Sequence, residues 1–109
     1  MAAKTYHFAQ SAGRLIEKIV DDDNLVINHM ILPQGESLPV HYSNSNVYMI
    51  VVQGNLTLSL NDQEPQQYAA GSIINIPYKT KMNATNCQEE RLEFFVVKAP
   101  NPKDYSKQS

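Results

Sequence analysis

The stretch GESLPVHYSNSNVYMIVVQG, residues 35–54, decides the fold of this chain. It begins and ends with glycine, holds one histidine, His41, and contains an unbroken apolar run, VYMIVV, at residues 47–52. Short runs of β-branched and aromatic residues between turn residues are typical of β-strands. Glycine reaches positive φ at little cost, so it is favoured where a strand meets a tight turn. The stretch therefore predicts a strand framed by glycine turns.

The same pattern continues through the rest of the chain. Four more short segments are rich in Val, Ile, Leu or Phe and are bounded by turn residues, at residues 24–32, 55–60, 72–76 and 91–97. Many short strands with regular turn signals favour an all-β barrel or sandwich. Residues 14–20 fit a helical stripe or a strand, and their β-branched content favours the strand. Two prolines predict an extended or loosely turned tail at residues 99–109.

Length and charge limit the classes of protein that need consideration. With 109 residues one domain is expected, made of an N-terminal strand region (1–33), a barrel region (35–97) and the tail. The net charge of −2 and the lack of a basic cluster argue against a nucleic-acid partner. A single cysteine, Cys87, and an N-terminus without an apolar leader indicate a cytoplasmic protein. The apolar run is too short to span a bilayer, so no membrane partner is expected.

The two central strands differ in their apolar pattern. Residues 55–60, NLTLSL, alternate between apolar and polar, which predicts a strand with one exposed face. The run VYMIVV is apolar at every position, so both of its faces should be covered. The opposite sheet would cover one face, and a second subunit or the N-terminal segment would cover the other. We therefore expect a homodimer.

Glycine, proline and asparagine recur at fixed spacings in two frames. Five residues separate Gly35 from the histidine, and Gly54 closes the first frame; in the second, five residues separate Gly71 from Pro77, and Asn86 comes nine positions later. The two frames resemble the paired motifs of the cupin superfamily, in its small single-domain (cupin type-2) branch. The resemblance covers about two-thirds of the chain and implies a double-stranded β-helix, a jelly-roll barrel of two facing antiparallel sheets.

The resemblance breaks at the positions that carry the family's chemistry. In metal-binding cupins three histidines and one glutamate from the two motifs hold the ion. The corresponding positions here are His41, Ser43, Val47 and Met82. Serine is a poor ligand for Zn, Fe or Mn and valine is none, so the closed shell of donors that such ions need is absent. In addition, Lys79 replaces the second-motif glycine, which implies a different loop there.

The altered positions imply a pocket of different character. By the motif geometry, Val47, Met49 and Val51 share the inward face with His41 and Ser43. Replacing glutamate by valine and histidine by methionine removes polarity from one place. We expect a small organic ligand in the barrel, no metal and no cofactor. The predicted polar contacts are the histidine and the serine, and the apolar lining is Val47, Met49, Val51 and Met82.

Several alternatives stay open around the histidine. His41 could be a buried, hydrogen-bonded core residue in a pocket filled by side chains. It could instead belong to a metal-dependent cupin enzyme, sugar-modifying or oxygen-using, in which His29 or Met82 helps to hold a divalent transition metal; the sequence does not fix which face His29 occupies. It could also act as a metal-free acid or base. Tyr48 is a poor partner for that role, because it points away if Val47 points in.

The carboxylates give no pair suited to general acid–base catalysis. The run Asp21–Asp23 is interpreted as a solvated turn. Glu93 alternates with Leu92 and Phe94, which predicts an outward-facing side chain. The sequence thus predicts a binding function and names no reaction.

Overall fold

The computed structural model of the chain describes residues 3–106. This part contains nine strands and one short helix, in the order β1 Leu15–Asp21, β2 Val26–Leu32, β3 His41–Tyr42, β4 Val47–Gln53, β5 Asn55–Leu60, β6 Gln66–Ala69, β7 Ile73–Ile76, β8 Lys81–Thr85, β9 Leu92–Lys98 and α1 Pro102–Ser106. The predicted all-β class is confirmed. No helix within residues 3–106 is long and apolar enough to cross a membrane.

The strands form two antiparallel sheets that face each other. The first has the order β1-β2-β9-β4-β7 and the second the order β3-β8-β5-β6. Apart from the hairpins β1–β2 and β5–β6, neighbours in each sheet are distant in sequence, as when β9 inserts between β2 and β4. This is the predicted jelly-roll barrel, with the two cupin-like frames contributing strands to both sheets.

The hydrophobic core lies between the sheets and follows the two-residue alternation of each strand. On β4 the odd-numbered residues Val47, Met49 and Val51 point inward and are buried. Within the single chain only the inward face of VYMIVV is covered, so cover of the outer face by a second subunit stays a prediction. Tyr48 and Val52 point outward and are 40% and 46% exposed. The outward direction predicted for Tyr48 is confirmed.

Gly54 shows why the turn between β4 and β5 requires glycine. Its φ is +80°, a conformation that side-chain-bearing residues rarely adopt. A Cβ at this position would lie 2.6 Å from the main-chain oxygen of Arg91, just before β9. The turn therefore packs directly against the start of the last strand.

The two chain ends differ in how well the sequence predicted them. Residues 14–20 were expected to form a strand, and β1 at Leu15–Asp21 confirms it. The predicted extended or loosely turned tail is wrong for Pro102–Ser106, which form a short helix, and residues 107–109 lie outside the described part of the chain. Asn101 caps this helix by accepting a hydrogen bond from the Lys103 amide (3.0 Å), and proline is well suited to a first helical position. Asn101 is itself held by donating to the side chain of Asp21 (2.8 Å).

Candidate functional site

His41 lies at the rim of the barrel, on the short edge strand β3. Its register partner on β8 is Met82, so the two motif positions are adjacent as the resemblance implied. The imidazole is exposed, however, and does not reach the interior. Its Nδ1 lies 2.9 Å from the carbonyl oxygen of Pro39, which fixes Nδ1–H as the donor in the neutral ring. In this tautomer Nε2 carries the lone pair and can accept a hydrogen bond.

Ser43 is buried in the loop that follows β3. Its hydroxyl donates to the carbonyl of Pro77 (2.6 Å) and accepts the amide N–H of Thr80 (2.8 Å). These bonds tie the first motif to the loop of the second. The side chain predicted as a polar ligand contact therefore has a structural role in holding two loops together.

Lys79 lies in that second loop, with a φ of 65°. This is the left-handed conformation that favours glycine, the residue that the cupin motif has here. The backbone has thus kept a glycine-like conformation at a position that now carries a lysine. The lysine amide donates to the carbonyl of Ser43 (3.0 Å), which adds a third bond between the two loops.

The four predicted lining residues do come together inside the barrel. Val47, Met49, Val51 and Met82 belong to one core cluster and are 0–3% exposed. They pack with apolar side chains from both sheets, among them Leu58 and Phe94. The structure thus places the apolar part of the predicted pocket in the core and its histidine outside it, at the rim.

The donor set around His41 does not fit a transition metal. Within residues 3–106 no group of three or more His, Cys, Asp or Glu side chains is arranged to hold an ion. The motif positions offer one imidazole, one hydroxyl already committed to two hydrogen bonds, one thioether and one valine. Such a set lacks the three or four nitrogen, carboxylate or thiolate donors of a stable site.

An open cleft of about 620 Å³ lies among residues that the sequence did not single out for function. Amide and carboxylate side chains and the exposed cysteine line it: Gln34, Asn55, Cys87, Gln88, Glu89 and Glu90. All of them lie in loops or at the end of a strand. None belongs to the predicted ligand set, so this cleft and the predicted pocket are separate features.

A buried ionisable cluster on the outer face of the larger sheet also escaped prediction. His29 is fully buried between two carboxylates, with Nδ1 2.7 Å from Glu17 Oε2 and Nε2 2.6 Å from Glu93 Oε2. The rings of Phe8 and Phe95 flank it, each with its centroid within 5 Å of the imidazole. The outward direction predicted for Glu93 is right, yet the N-terminal segment buries it. The signal in the sequence was the ionisable residue in the middle of an apolar strand.

The cluster does not make a metal site. Its carboxylates lie at opposite ring nitrogens of His29, so no single point is within ligand distance of one nitrogen and both carboxylates. His29 cannot help His41 to hold a metal, because His29 faces outward from the larger sheet whereas His41 lies on β3 in the other sheet. The outward face of His29, which the sequence left open, is thereby fixed.

Comparison with known proteins identifies the family. No family model matches the chain. An uncharacterized protein of Methanocaldococcus jannaschii is 47% identical over 104 residues, covering 94% of this chain and 90% of that one. A crystal structure from the same organism, described as an RmlC-like cupin family protein with a double-stranded β-helix fold, has a TM-score of 0.92 and 46% identity over 97% of this chain and 98% of that chain. The chain belongs to the RmlC-like cupin family.

A more distant structure shows that the fold extends beyond close relatives. An RmlC-like cupin protein from Desulfovibrio desulfuricans shares 17% identity with a TM-score of 0.76, over 92% of this chain and 99% of that chain. At that identity the likeness concerns the fold alone.

Proposed function

We propose that this cupin binds a small organic molecule at the His41 end of its barrel, without a transition metal. The observation that supports the proposal is that a polar, exposed side chain and an apolar, buried one are neighbours at the rim of the barrel. One exposed imidazole, whose Nε2 can accept a hydrogen bond, is paired across the β3–β8 ladder with the buried Met82. A compact, mostly apolar molecule with one hydrogen-bonding group fits that pairing. Its polar group would bond Nε2, and its apolar body would lie against the methionine.

Two methionines make the interior adaptable to such a molecule. Met49 and Met82 line the predicted pocket, and unbranched thioether chains repack into irregular spaces more readily than branched side chains do. Entry of a ligand past His41 requires Met82 to move, because its side chain is buried. Loss of core packing opposes this movement, so a ligand must offer comparable apolar contact in return.

Methyl NMR with simple probe compounds tests the ligand proposal. The protein labelled at the methionine methyl carbons is titrated with a set of small monoaromatic alcohols, amides and carboxylates. Binding as proposed moves the Met82 and Met49 methyl signals, and His41→Ala weakens the affinity about tenfold, the loss of one hydrogen bond. His7→Ala, which removes an exposed histidine in the N-terminal segment, is the matched control and should have no effect.

Two results would overturn the ligand proposal. In the first, no compound moves either methyl signal at millimolar concentration, which would favour a barrel permanently filled by its own side chains. In the second, elemental analysis of protein purified without added metal finds close to one equivalent of Zn, Mn, Fe, Ni or Cu that His41→Ala removes. That outcome would favour the metal-dependent enzyme instead.

We also propose that a second copy of the chain covers the outer face of β4 and β7. Ile73 on β7 is 67% exposed and lies beside Ile50 in the strand register, next to the exposed Tyr48 and Val52. With Asn75, these residues form a face without a charged side chain. A two-fold interface places the same surface patch of both copies in contact, so an uncharged face avoids like-charge repulsion. The N-terminal segment contacts β2 and β9 instead and leaves this face open.

Light scattering after size exclusion tests the dimer. We expect a dimer for the unaltered protein and a monomer for Ile73→Lys, because the substitution buries a charged side chain from each copy in an apolar interface. Val40→Lys, at a comparably exposed valine outside the face, should remain dimeric. A monomer of the unaltered protein at every concentration would disprove the proposal.

A further inference from the structure

The N-terminal segment crosses the outer face of the larger sheet and is held there by specific contacts. Phe8 contacts both His29, at a tilted angle, and Phe95, edge to face, with ring centroids 4.9 Å away in each case. The next residue, Ala9, donates its amide N–H to Glu17 Oε2 at 2.9 Å. These residues lie before the first strand, so side-chain contacts hold the segment in place of a strand ladder.

Arg91 holds the far side of the same segment. Its guanidinium donates to the main-chain oxygen of Ser11 and to the side chain of Gln10 (3.2 Å). The same guanidinium lies 3.5 Å from Glu93 Oε1. The arginine thus connects the segment to the buried carboxylate of the histidine cluster.

The short distances within the cluster determine how many protons it holds. Both ring nitrogens of His29 lie within 2.7 Å of a carboxylate oxygen, and each contact needs a hydrogen between the two atoms. A neutral imidazole with two ionised carboxylates has only one such hydrogen, so a nitrogen lone pair would face an oxygen lone pair. The geometry is satisfied when the cluster holds two hydrogens, as it does when the imidazolium donates to both Glu17 and Glu93.

We propose that residues 8–11 form a detachable strap seated on the Glu17–His29–Glu93 cluster, and that loss of a proton from the cluster releases the strap and uncovers His29 and Phe95. One atom links the two events, because Glu17 Oε2 accepts from both Ala9 and His29. When the imidazolium loses a proton, one carboxylate contact becomes repulsive in a buried site, where an unmatched group costs most.

The groups that face the imidazole are few. Strand β1 contributes Glu17, and β9 contributes Glu93, with Arg91 behind it. The strap contributes the uncharged Phe8, and the neighbouring His7 is exposed. Since the arginine offsets one carboxylate and the imidazolium the other, the docked cluster is close to neutral. Proton loss leaves it with a net negative charge under an apolar ring.

The ionisation of Glu17 supports the same coupling from the acid side. Its pKa is held below the ordinary value, first by the hydrogen bond from the Ala9 amide and then by the bond from His29. Because the Ala9 contact stabilises the ionised form of Glu17, ionisation of Glu17 must in turn stabilise the docked strap. The strap should therefore be docked in an intermediate pH range and released on both sides of it. This inference does not depend on the proposed ligand or dimer.

NMR titration of the unaltered protein tests the strap directly. With the strap docked, we expect the ¹⁵N shifts of the His29 ring and the carboxyl ¹³C shifts of Glu17 and Glu93 together to show two protons in the cluster. As the pH rises, the Ala9 amide signal should move to its position in an unstructured peptide, with the same midpoint as the loss of a proton from the cluster. The core methyl signals should stay in place through this change. An Ala9 signal unaffected by the loss of a proton from the cluster, or a docked strap over a cluster that holds only one proton, would refute the proposal.

Two carboxylate variants and a matched control separate the strap from general charge effects. Glu93→Gln removes one partner of the imidazolium, so release should occur at a lower pH than in the unaltered protein. Glu17→Gln weakens the bond to Ala9, and the protection of that amide from hydrogen exchange should fall roughly tenfold or more. Glu36→Gln breaks an exposed pair with Arg14, away from the cluster, and should change neither quantity. Equal effects from all three variants would contradict a specific strap.

Discussion

Replacing Asn86 with alanine tests what the second cupin-like frame does for this chain. The side chain is fully buried after β8 and bonds three separate main-chain groups. Its amide donates to the carbonyls of Leu32 (2.8 Å) and Glu90 (3.0 Å), while its oxygen accepts the N–H of Gln88 (3.0 Å). It therefore ties the end of β2 to the loop between β8 and β9.

The expected loss follows from these three bonds. A hydrogen bond contributes about 1 kcal/mol net, and a buried group left without a partner costs about 1–3 kcal/mol. Leu32 is fully buried, so its carbonyl has no access to water after the substitution, whereas Glu90 is exposed and its carbonyl is closer to solvent. We expect Asn86→Ala to lower the free energy of unfolding by about 3 kcal/mol. For a domain of this size that is a decrease in Tm of roughly 12–20 °C.

Urea unfolding at one fixed protein concentration measures this loss, and fixing the concentration removes any contribution from association. Asn83→Ala, at an exposed position on the same strand, is the matched control and should change stability by less than about 0.5 kcal/mol. Asn86→Asp keeps the acceptor but loses both amide donors, so it should not rescue the protein. If Asn86→Ala lowered the free energy of unfolding by less than about 1 kcal/mol, no more than the control does, the proposed tie between the two segments would be refuted.

Three further predictions concern the turn, the acid limit of stability and the core. Gly54→Ala forces a Cβ to within 2.6 Å of the Arg91 carbonyl at positive φ, so urea unfolding should show a loss of at least about 1–2 kcal/mol. The pKa of Glu17 is lowered from 4.5, chiefly by the Ala9 amide, so its contribution is present above pH 4.5 and is lost as the pH falls through the folded-state pKa. Stability measured against pH should thus fall less steeply below pH 4.5 in Glu17→Gln, and an unchanged slope would contradict this. Phe94→Ala empties a fully buried position and should cost about 3–5 kcal/mol in the same urea assay; a cost typical of surface sites would show that the core closes around the gap.

The parts of the fold that sequence reasoning predicted share one property: their apolar pattern is strong. The strands at 47–53 and 55–60 alternate or run apolar, and both were found where expected. Strands β3, β6 and β8 were not predicted, because residues such as Gln66 and Lys81 carry no β-strand preference. Pairing with neighbours in the sheet determines their conformation, and a single sequence does not show that pairing.

The candidate site, like the fold, could be predicted only in part from the sequence. The frame spacing correctly placed Met82 opposite His41 and put Val47 inside the barrel. It could not show that the histidine ring turns outward to the Pro39 carbonyl, since that depends on the local conformation of a two-residue edge strand. The burial of His29 was equally out of reach, because it depends on a segment without regular structure folding over it.

Gly54 and Asn86 indicate which structural requirement sets the spacing of the cupin motifs. The glycine allows a turn to pass the carbonyl of Arg91, just before the last strand. The asparagine ties the end of β2 to the loop between β8 and β9. Both residues therefore fix the length of chain between two points that must meet when the barrel closes. Neither the turn at the glycine nor the hydrogen bonds of the asparagine involve the side chains that fill the barrel. A sequence search based on that spacing would therefore find proteins with the same barrel fold, whether the barrel interior holds a metal, a ligand or only apolar side chains. Sorting such a collection by chemistry requires reading the residues between the fixed points.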